Sequence, residues 1–187
     1  MSKRRSKKSF LSTLMWVLVL SLILTACLRP AMKMIYPLRY REAIEKYSEQ
    51  FDLNEYLVMG IISTESNFNT HAHSSKHAKG LMQIKEETAL WCIEHLKLDA
   101  DTQNIYTPDE NIYIGCAYLS YLEKLYGGDT RKAVMAYNAG LGNVNKWLSD
   151  PRYADASGNL NKIPFRETEM YVKKVMKRME IYMRLYG

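Results

Sequence analysis

Among the acids of this 187-residue chain, Glu65 stands where a carboxyl group could do proton chemistry. Val58, Ile61 and Ile62 precede it at helical spacing, so the carboxylate falls on the same face as an apolar stripe. Asn67, Asn69 and a loop rich in His and Ser follow, which places Glu65 near the end of its helix. Partial burial and the negative end of the helix dipole both disfavour the charged form, so both would raise its pKa. A carboxylic acid tuned in this way can donate a proton near neutral pH. The plainer alternative is a Glu that snorkels to solvent at a helix end.

Three other segments combine residue types suited to a polar cleft. Gly80-Leu81-Met82-Gln83-Ile84 puts a Gly at a tight turn and a Gln amide at the head of the next helix. Ala136-Tyr137-Asn138-Ala139-Gly140 sets a phenol and an amide at a helix end, flanked by small residues that let another chain come close. Ile163-Pro164-Phe165-Arg166-Glu167-Thr168 opens the final helix with a carboxylate in its first turn. Taken singly, Gln83 could be a surface residue, Tyr137 a core ring and Glu167 a helix-start charge partner. His71, His73 and His77 are dense enough to raise metal binding, but no acid or Cys joins them, and a solvated loop is the reading adopted: no metal and no cofactor are expected.

In this order and at these separations the four segments resemble the soluble lytic transglycosylase family, whose fold is similar to goose-type lysozyme. The resemblance runs from about residue 38 to 186 and includes Leu141-Gly142-Asn143-Val144 and Tyr171-Val172. It implies cleavage of the β-1,4 bond between N-acetylmuramic acid and N-acetylglucosamine in peptidoglycan. Glu65 would be the general acid and then the base, as the muramic acid 6-hydroxyl closes a 1,6-anhydro ring. Ser74, Gln83, Tyr137, Asn138 and Glu167 would contact substrate, with Tyr137 orienting Glu65 or the sugar. A second catalytic carboxylate is then unnecessary, unlike the paired carboxylates of most glycosidases. Between Glu55 and Glu86, Glu65 is the one acid. Two departures stand out: His77 where family members usually carry Gly, and Lys85 where an apolar residue is usual. The alternatives are a hydrolytic muramidase on the same site and a non-catalytic peptidoglycan-binding scaffold.

The elements that must hold these residues read as helices. Tyr40, Ile44, Tyr47 and Phe51 fall at spacings of four, three and four. Asn54 suits the N-cap of the helix that ends at Glu65. A third helix is expected from Ile84 through Trp91, Cys92 and Leu96. Thr107-Pro108-Asp109-Glu110 joins three start signals, and Gly127-Gly128 is a stop. Asp129 or Thr130 restarts helix to Gly140, Val144 to Leu148 adds a turn, and Pro164 opens a last helix with Tyr171, Val175, Met179, Tyr182 and Tyr186 on one stripe. No run of alternating β-branched residues appears. The expected fold is mostly α, a lysozyme-like helical domain with little or no β-sheet.

Charge and the leader set the compartment. Five basic residues lie in the first eight positions and no acid precedes Glu42, so beyond Ala26 the tally is 21 basic against 20 acidic residues. The basic balance therefore belongs to the leader and gives no reason to expect nucleic acid as a partner. Residues 10–26 form an uncharged apolar run after the basic cluster, an orientation that sends the remaining chain to the outer face of a bacterial cytoplasmic membrane. Residues 1–27 are read as a signal peptide or membrane anchor, 28–37 as a tether and 38–187 as the catalytic domain. Leu24-Thr25-Ala26-Cys27 resembles a lipobox, which makes Cys27 a candidate lipidation site; an uncleaved anchor is the other fate. Cys92 and Cys116 are read as small buried hydrophobes, with a disulfide as the alternative. A monomer acting on glycan strands, tethered to the membrane, is the expected state.

Overall fold

Helix α1 (Ser2–Ile35) runs the length of the leader and continues through Pro30. The computed structural model describes residues 2–155 and 157–187, with side chains of α1 described at 12–23 and 26–35. Residues 28–35 are thus helical, where a tether was expected. Pro30 removes one backbone donor, but Ala31, Met32, Lys33 and Met34 favour helix, and the Tyr36 N–H still bonds to the Met32 carbonyl at 2.8 Å. The stretch from Ser12 to Ile35 is long and apolar enough to cross a membrane. The chain up to Leu38 forms one unit and Arg39–Gly187 another.

The second unit contains α2 (Arg41–Gln50), α3 (Glu55–Glu65), a hairpin of β1 (Ala78–Lys79) and β2 (Ile84–Lys85), α4 (Glu86–Leu96), a 3-10 turn at Thr102–Asn104, α5 (Pro108–Leu125), α6 (Thr130–Ala139), α7 (Leu141–Leu148) and α8 (Arg166–Tyr186). The strands are antiparallel, with Ala78 opposite Lys85 and Lys79 opposite Ile84. The domain is mostly helical with a minimal sheet. Ile84, expected in the third helix, belongs to β2, because the turn between the strands folds Ile84 back onto Lys79 before helix can start at Glu86.

The cap signals act as read. Asn54 Oδ1 accepts from the Tyr56 and Leu57 N–H groups, and Thr107 Oγ1 accepts from the Glu110 N–H with Pro108 in the first turn. Glu110 does not complete a capping box; its carboxylate takes the Asp101 N–H at 2.6 Å. Asp129 is the cap of α6, accepting from the Lys132 N–H. The last helix starts at Arg166, two residues beyond Pro164, with Phe165 as its extended N-cap residue.

Helix α3 is buried on every side from Leu57 to Ser63, which makes it the central helix of the domain. It lies along α8, which turns Thr168, Tyr171, Val172, Val175 and Tyr182 inward. Gly60 permits the close approach: a Cβ there would stand 3.0 Å from the Val175 carbonyl oxygen and 3.1 Å from the Met179 nitrogen. Helix α5 supports α2, α4 and α6, and the Ser120 hydroxyl donates to the Phe51 carbonyl at 2.8 Å, tying α5 to the end of α2.

Candidate active site

Glu65 is the last residue of α3, and its partly buried carboxyl lies against α8. The Tyr171 hydroxyl donates to Glu65 Oε1 at 2.7 Å. Loss of solvent pushes the Glu65 pKa up to about 7, while the Tyr171 hydrogen bond and the nearby Lys174 charge pull the other way. Desolvation wins. The helix dipole adds little to it, because Arg178 Nη1 donates to the Ser63 carbonyl and meets Thr64 Oγ1 at 3.4 Å, placing a cation at the carbonyl end of α3. Tyr171 itself keeps its proton: burial and the adjacent Glu65 raise its pKa well above the usual phenol range.

The turn between β1 and β2 is fastened from three directions. Gly80 has φ 75°, and a Cβ there would strike the Asn111 side chain. Asn111 is fully buried on α5; its amide donates to the Lys79 and Ile105 carbonyls at 3.0 and 2.8 Å, and its oxygen accepts the Met82 N–H at 2.7 Å. From α3, the Ser66 hydroxyl reaches the Leu81 carbonyl at 2.8 Å, and from α6 the Tyr137 hydroxyl donates to the Met82 carbonyl at 2.9 Å. The turn is thereby fixed to the helix end that carries Glu65. Gln83, also at positive φ (51°), donates its amide hydrogens to the Ala72 and Gly80 carbonyls.

A groove of about 300 Å³ is lined by Glu65, Ser74, Gln83, Tyr137, Asn138 and Glu167, so the structure brings together all six site residues picked out from the sequence. Lys76, Lys85, Thr88 and Tyr118 add polar groups to its walls. Three placements refine the expectations. Gln83 sits in the hairpin turn rather than at a helix head. Tyr137 spends its hydroxyl on Met82, so Tyr171, which sequence reasoning left on the core stripe, is the phenol that holds Glu65. Glu167 is largely exposed on the rim, with Lys76 Nζ at 4.0 Å. Asn111 was also missed. In both cases the available signal was a polar group within an inward-facing helical stripe, where its hydrogen-bonding atoms demand a partner.

The loop from His71 to Ala78 forms the groove's rim. The Ser74 Oγ accepts from the Lys76 and Ala78 N–H groups, and His77 adopts φ 61°, the left-handed conformation that Gly occupies without cost. That backbone requirement explains why Gly is usual there, and the rings of His77 and His73 meet edge to face at 5.8 Å. Among the described residues no group of three His, Cys, Asp or Glu side chains is arranged to hold a metal ion. Cys92 and Cys116 are buried and unpaired, with burial pushing the Cys92 thiol up to about 12 and Cys116 higher still.

Residues 42–159 match the family described as the transglycosylase SLT domain. The chain belongs to that family. A soluble lytic murein transglycosylase of Salmonella typhimurium is 34% identical over 144 residues, covering 75% of this chain but 22% of the relative. A membrane-bound lytic murein transglycosylase C of Serratia proteamaculans is 30% identical over 169 residues, 78% of this chain and 47% of the relative. The structure of an inactive Glu-to-Gln mutant of lytic transglycosylase Slt from Pseudomonas aeruginosa superposes with a TM-score of 0.73 at 31% identity, over 82% of this chain and 25% of the other. The matched residues cover most of the unit from Arg39 onward and stop short of α8, and the chain spans about a fifth to a half of the length of these relatives.

Proposed function

We propose that this chain is a peptidoglycan lytic transglycosylase in which Glu65 is the single catalytic carboxyl group. The observation that carries the reading is the partly buried Glu65 carboxyl, raised to about 7, in the wall of a groove lined by polar side chains from several separate segments. A group with that pKa is about half protonated at neutral pH yet is a competent base once it has given its proton away. Family membership supports the choice of substrate, and the inactive state of the Glu-to-Gln relative supports dependence on one glutamate.

The steps balance without a second acid. Protonated Glu65 donates to the glycosidic oxygen as the bond from the muramic acid C1 to that oxygen breaks, releasing an N-acetylglucosamine hydroxyl. The neighbouring acetamido group stabilises the cationic C1. The Glu65 carboxylate then takes the proton of the 6-hydroxyl while that oxygen bonds to C1, closing the 1,6-anhydro ring and returning the carboxyl to its protonated form. Tyr171 steadies the carboxylate between the two transfers, when the charged form most needs a donor. The Gln83 amide oxygen, the Ser74 hydroxyl and Asn138 meet the sugar and acetamido groups, and Glu167 lines the outer groove.

Two pieces of the reading concern place. The largely apolar helical stretch from Ser12 to Ile35, with Arg29 and Lys33 near its end, is about 36 Å long at 1.5 Å per residue, against a hydrocarbon core of about 30 Å, which supports a membrane tether with the domain on the outer face. Cys27 is the lipidation site if the leader is cleaved there; otherwise the helix stays as the anchor. Mass spectrometry of purified sacculi digested by the protein tests the activity. Anhydro ends, lighter than hydrolysed ends by one water, are expected from wild type and absent with E65Q; unchanged lysis by E65Q overturns the assignment.

A further inference from the structure

The hairpin sets one lysine in the groove with its charge unmatched. Lys85 stands opposite Ala78 in the antiparallel pair, and both residues line the groove. Side chains alternate along a strand, so the register that buries Ile84 turns Lys85 outward beside Ala78, whose single methyl leaves room for the lysine stem. The neighbouring cations are engaged. Lys79 Nζ meets Glu86 Oε2 at 3.0 Å, Lys76 Nζ meets Glu167 Oε1 at 4.0 Å, and Lys174 acts on Glu65 through space. Among the described residues Lys85 makes no ion pair.

An unpaired ammonium in a sugar groove calls for an anion carried on the sugar itself. Hydroxyl and acetamido groups are neutral, and the ionisable group nearest a ring of the strand is the lactyl carboxyl on C3 of muramic acid. Where a peptide is attached, that carboxyl is an amide without charge. Where the peptide has been removed, it is a carboxylate within reach of a lysine side chain in the same groove. We propose that Lys85 pairs with the free lactyl carboxylate of muramic acid, so that strands stripped of peptide gain a contact that amide-linked strands lack. The carboxylate is fixed to the bound ring and meets the amine at high effective concentration, so one exposed contact suffices. The class of reaction that supplies this substrate is hydrolysis of the amide between the lactyl group and the peptide. The inference rests on the lytic transglycosylase reading and adds a substrate form to it.

The experiment compares kcat/KM of the full chain in detergent on one amidase-stripped glycan, before and after carbodiimide coupling to ammonia. The coupling turns each lactyl carboxylate into a neutral amide and leaves every sugar in place. Wild type should favour the carboxylate form about fivefold, the size of one partly exposed charge pair, with the ratio shrinking as salt rises. K85M should bring the ratio close to one and K85R should keep it, and cleavage of the amide form by K85M reports that the fold is intact. K76M, whose lysine already faces Glu167, should keep the wild-type ratio. Equal or faster cleavage of the amide form by wild type overturns the pairing. So does a ratio that survives in K85M, or one that K76M abolishes and K85M does not. Failure of wild type to cleave either form refutes instead the transglycosylase reading, and the two failures are thus distinguishable.

Discussion

The hydrogen bond from Tyr171 to Glu65 offers the sharpest test of how the acid is tuned. Removing the hydroxyl in Y171F leaves the ring and the burial in place but deprives the carboxylate of a donor at 2.7 Å. A hydrogen bond to a charged acceptor contributes roughly 1.5–3 kcal/mol and one to a neutral acceptor about 1, so the charged form loses about 0.5–2 kcal/mol more than the neutral form, with a midpoint near 1.3. At about 1.4 kcal/mol per pH unit, that raises the Glu65 pKa from about 7 to about 8. The proposed mechanism needs Glu65 protonated at the first step, so wild-type kcat/KM should fall as pH rises through about 7, and the Y171F limb should fall one unit higher. The assay is kcat/KM on soluble glycan strands between about pH 5 and 9.5. Below pH 6 both proteins hold the proton, and any difference there reports orientation alone. A limb that stays at the wild-type position, or moves to lower pH, refutes the claim that Tyr171 stabilises the ionised carboxyl.

The same residue sets a stability cost. Glu65 binds its proton more tightly in the folded than in the unfolded chain, so the folded state is favoured below the ordinary value of 4.5 and loses that advantage as pH rises through about 7. E65Q should therefore melt higher than wild type at pH 8, by at most about 3 kcal/mol, with much less difference at pH 4.5; an equal gain at both pH values contradicts the desolvation account. Its cleavage rate should fall by roughly a thousandfold. Asn111→Ala leaves two buried carbonyls and the Met82 N–H without their partner and should cost about 3 kcal/mol, read as a large drop in Tm. H77G relieves a left-handed residue at φ 61° and should gain about 0.5–1 kcal/mol after the entropy cost of Gly, seen as a Tm rise of about 2 °C.

Much of the scaffold was legible because it depends on short-range chemistry. Asn54, Thr107 and Asp129 each cap the helix that follows, since a side-chain oxygen two or three residues ahead of free N–H groups has little else to do. The placement of Glu65 on the apolar face followed from helical spacing alone. Where the outcome depends on the chain folding back on itself, on neighbours outweighing one signal, or on contacts distant in sequence, local reading failed. Ile84 went to a strand because Lys79 pairs with it, and nothing in the segment from Ile84 to Lys85 opposes helix. Pro30 marked a tether that is helical, since one missing donor does not end a helix whose next residues favour it. Asn111 lies 32 positions from Lys79 and Tyr171 lies 106 from Glu65, so neither partnership leaves a trace in spacing.

The proton affinity of Glu65 is accordingly a property of a helix pair and not of its own segment. Desolvation requires α8 to lie close against the end of α3, and the approach is possible because Gly60 leaves room for the Val175 carbonyl and the Met179 backbone. The residue that moderates desolvation, Tyr171, and the cation that offsets the dipole, Arg178, come from that same α8, two turns apart. One helix therefore raises the pKa by excluding water and holds it near 7 by supplying a hydroxyl. A carboxyl left fully solvated would ionise at its ordinary value and be too rarely protonated at neutral pH, while one buried without Tyr171 would be slow to release its proton. Packing of α3 on α8 is thus at once the main structural joint of the domain and the device that sets the proton affinity on which the proposed acid and base roles of Glu65 depend.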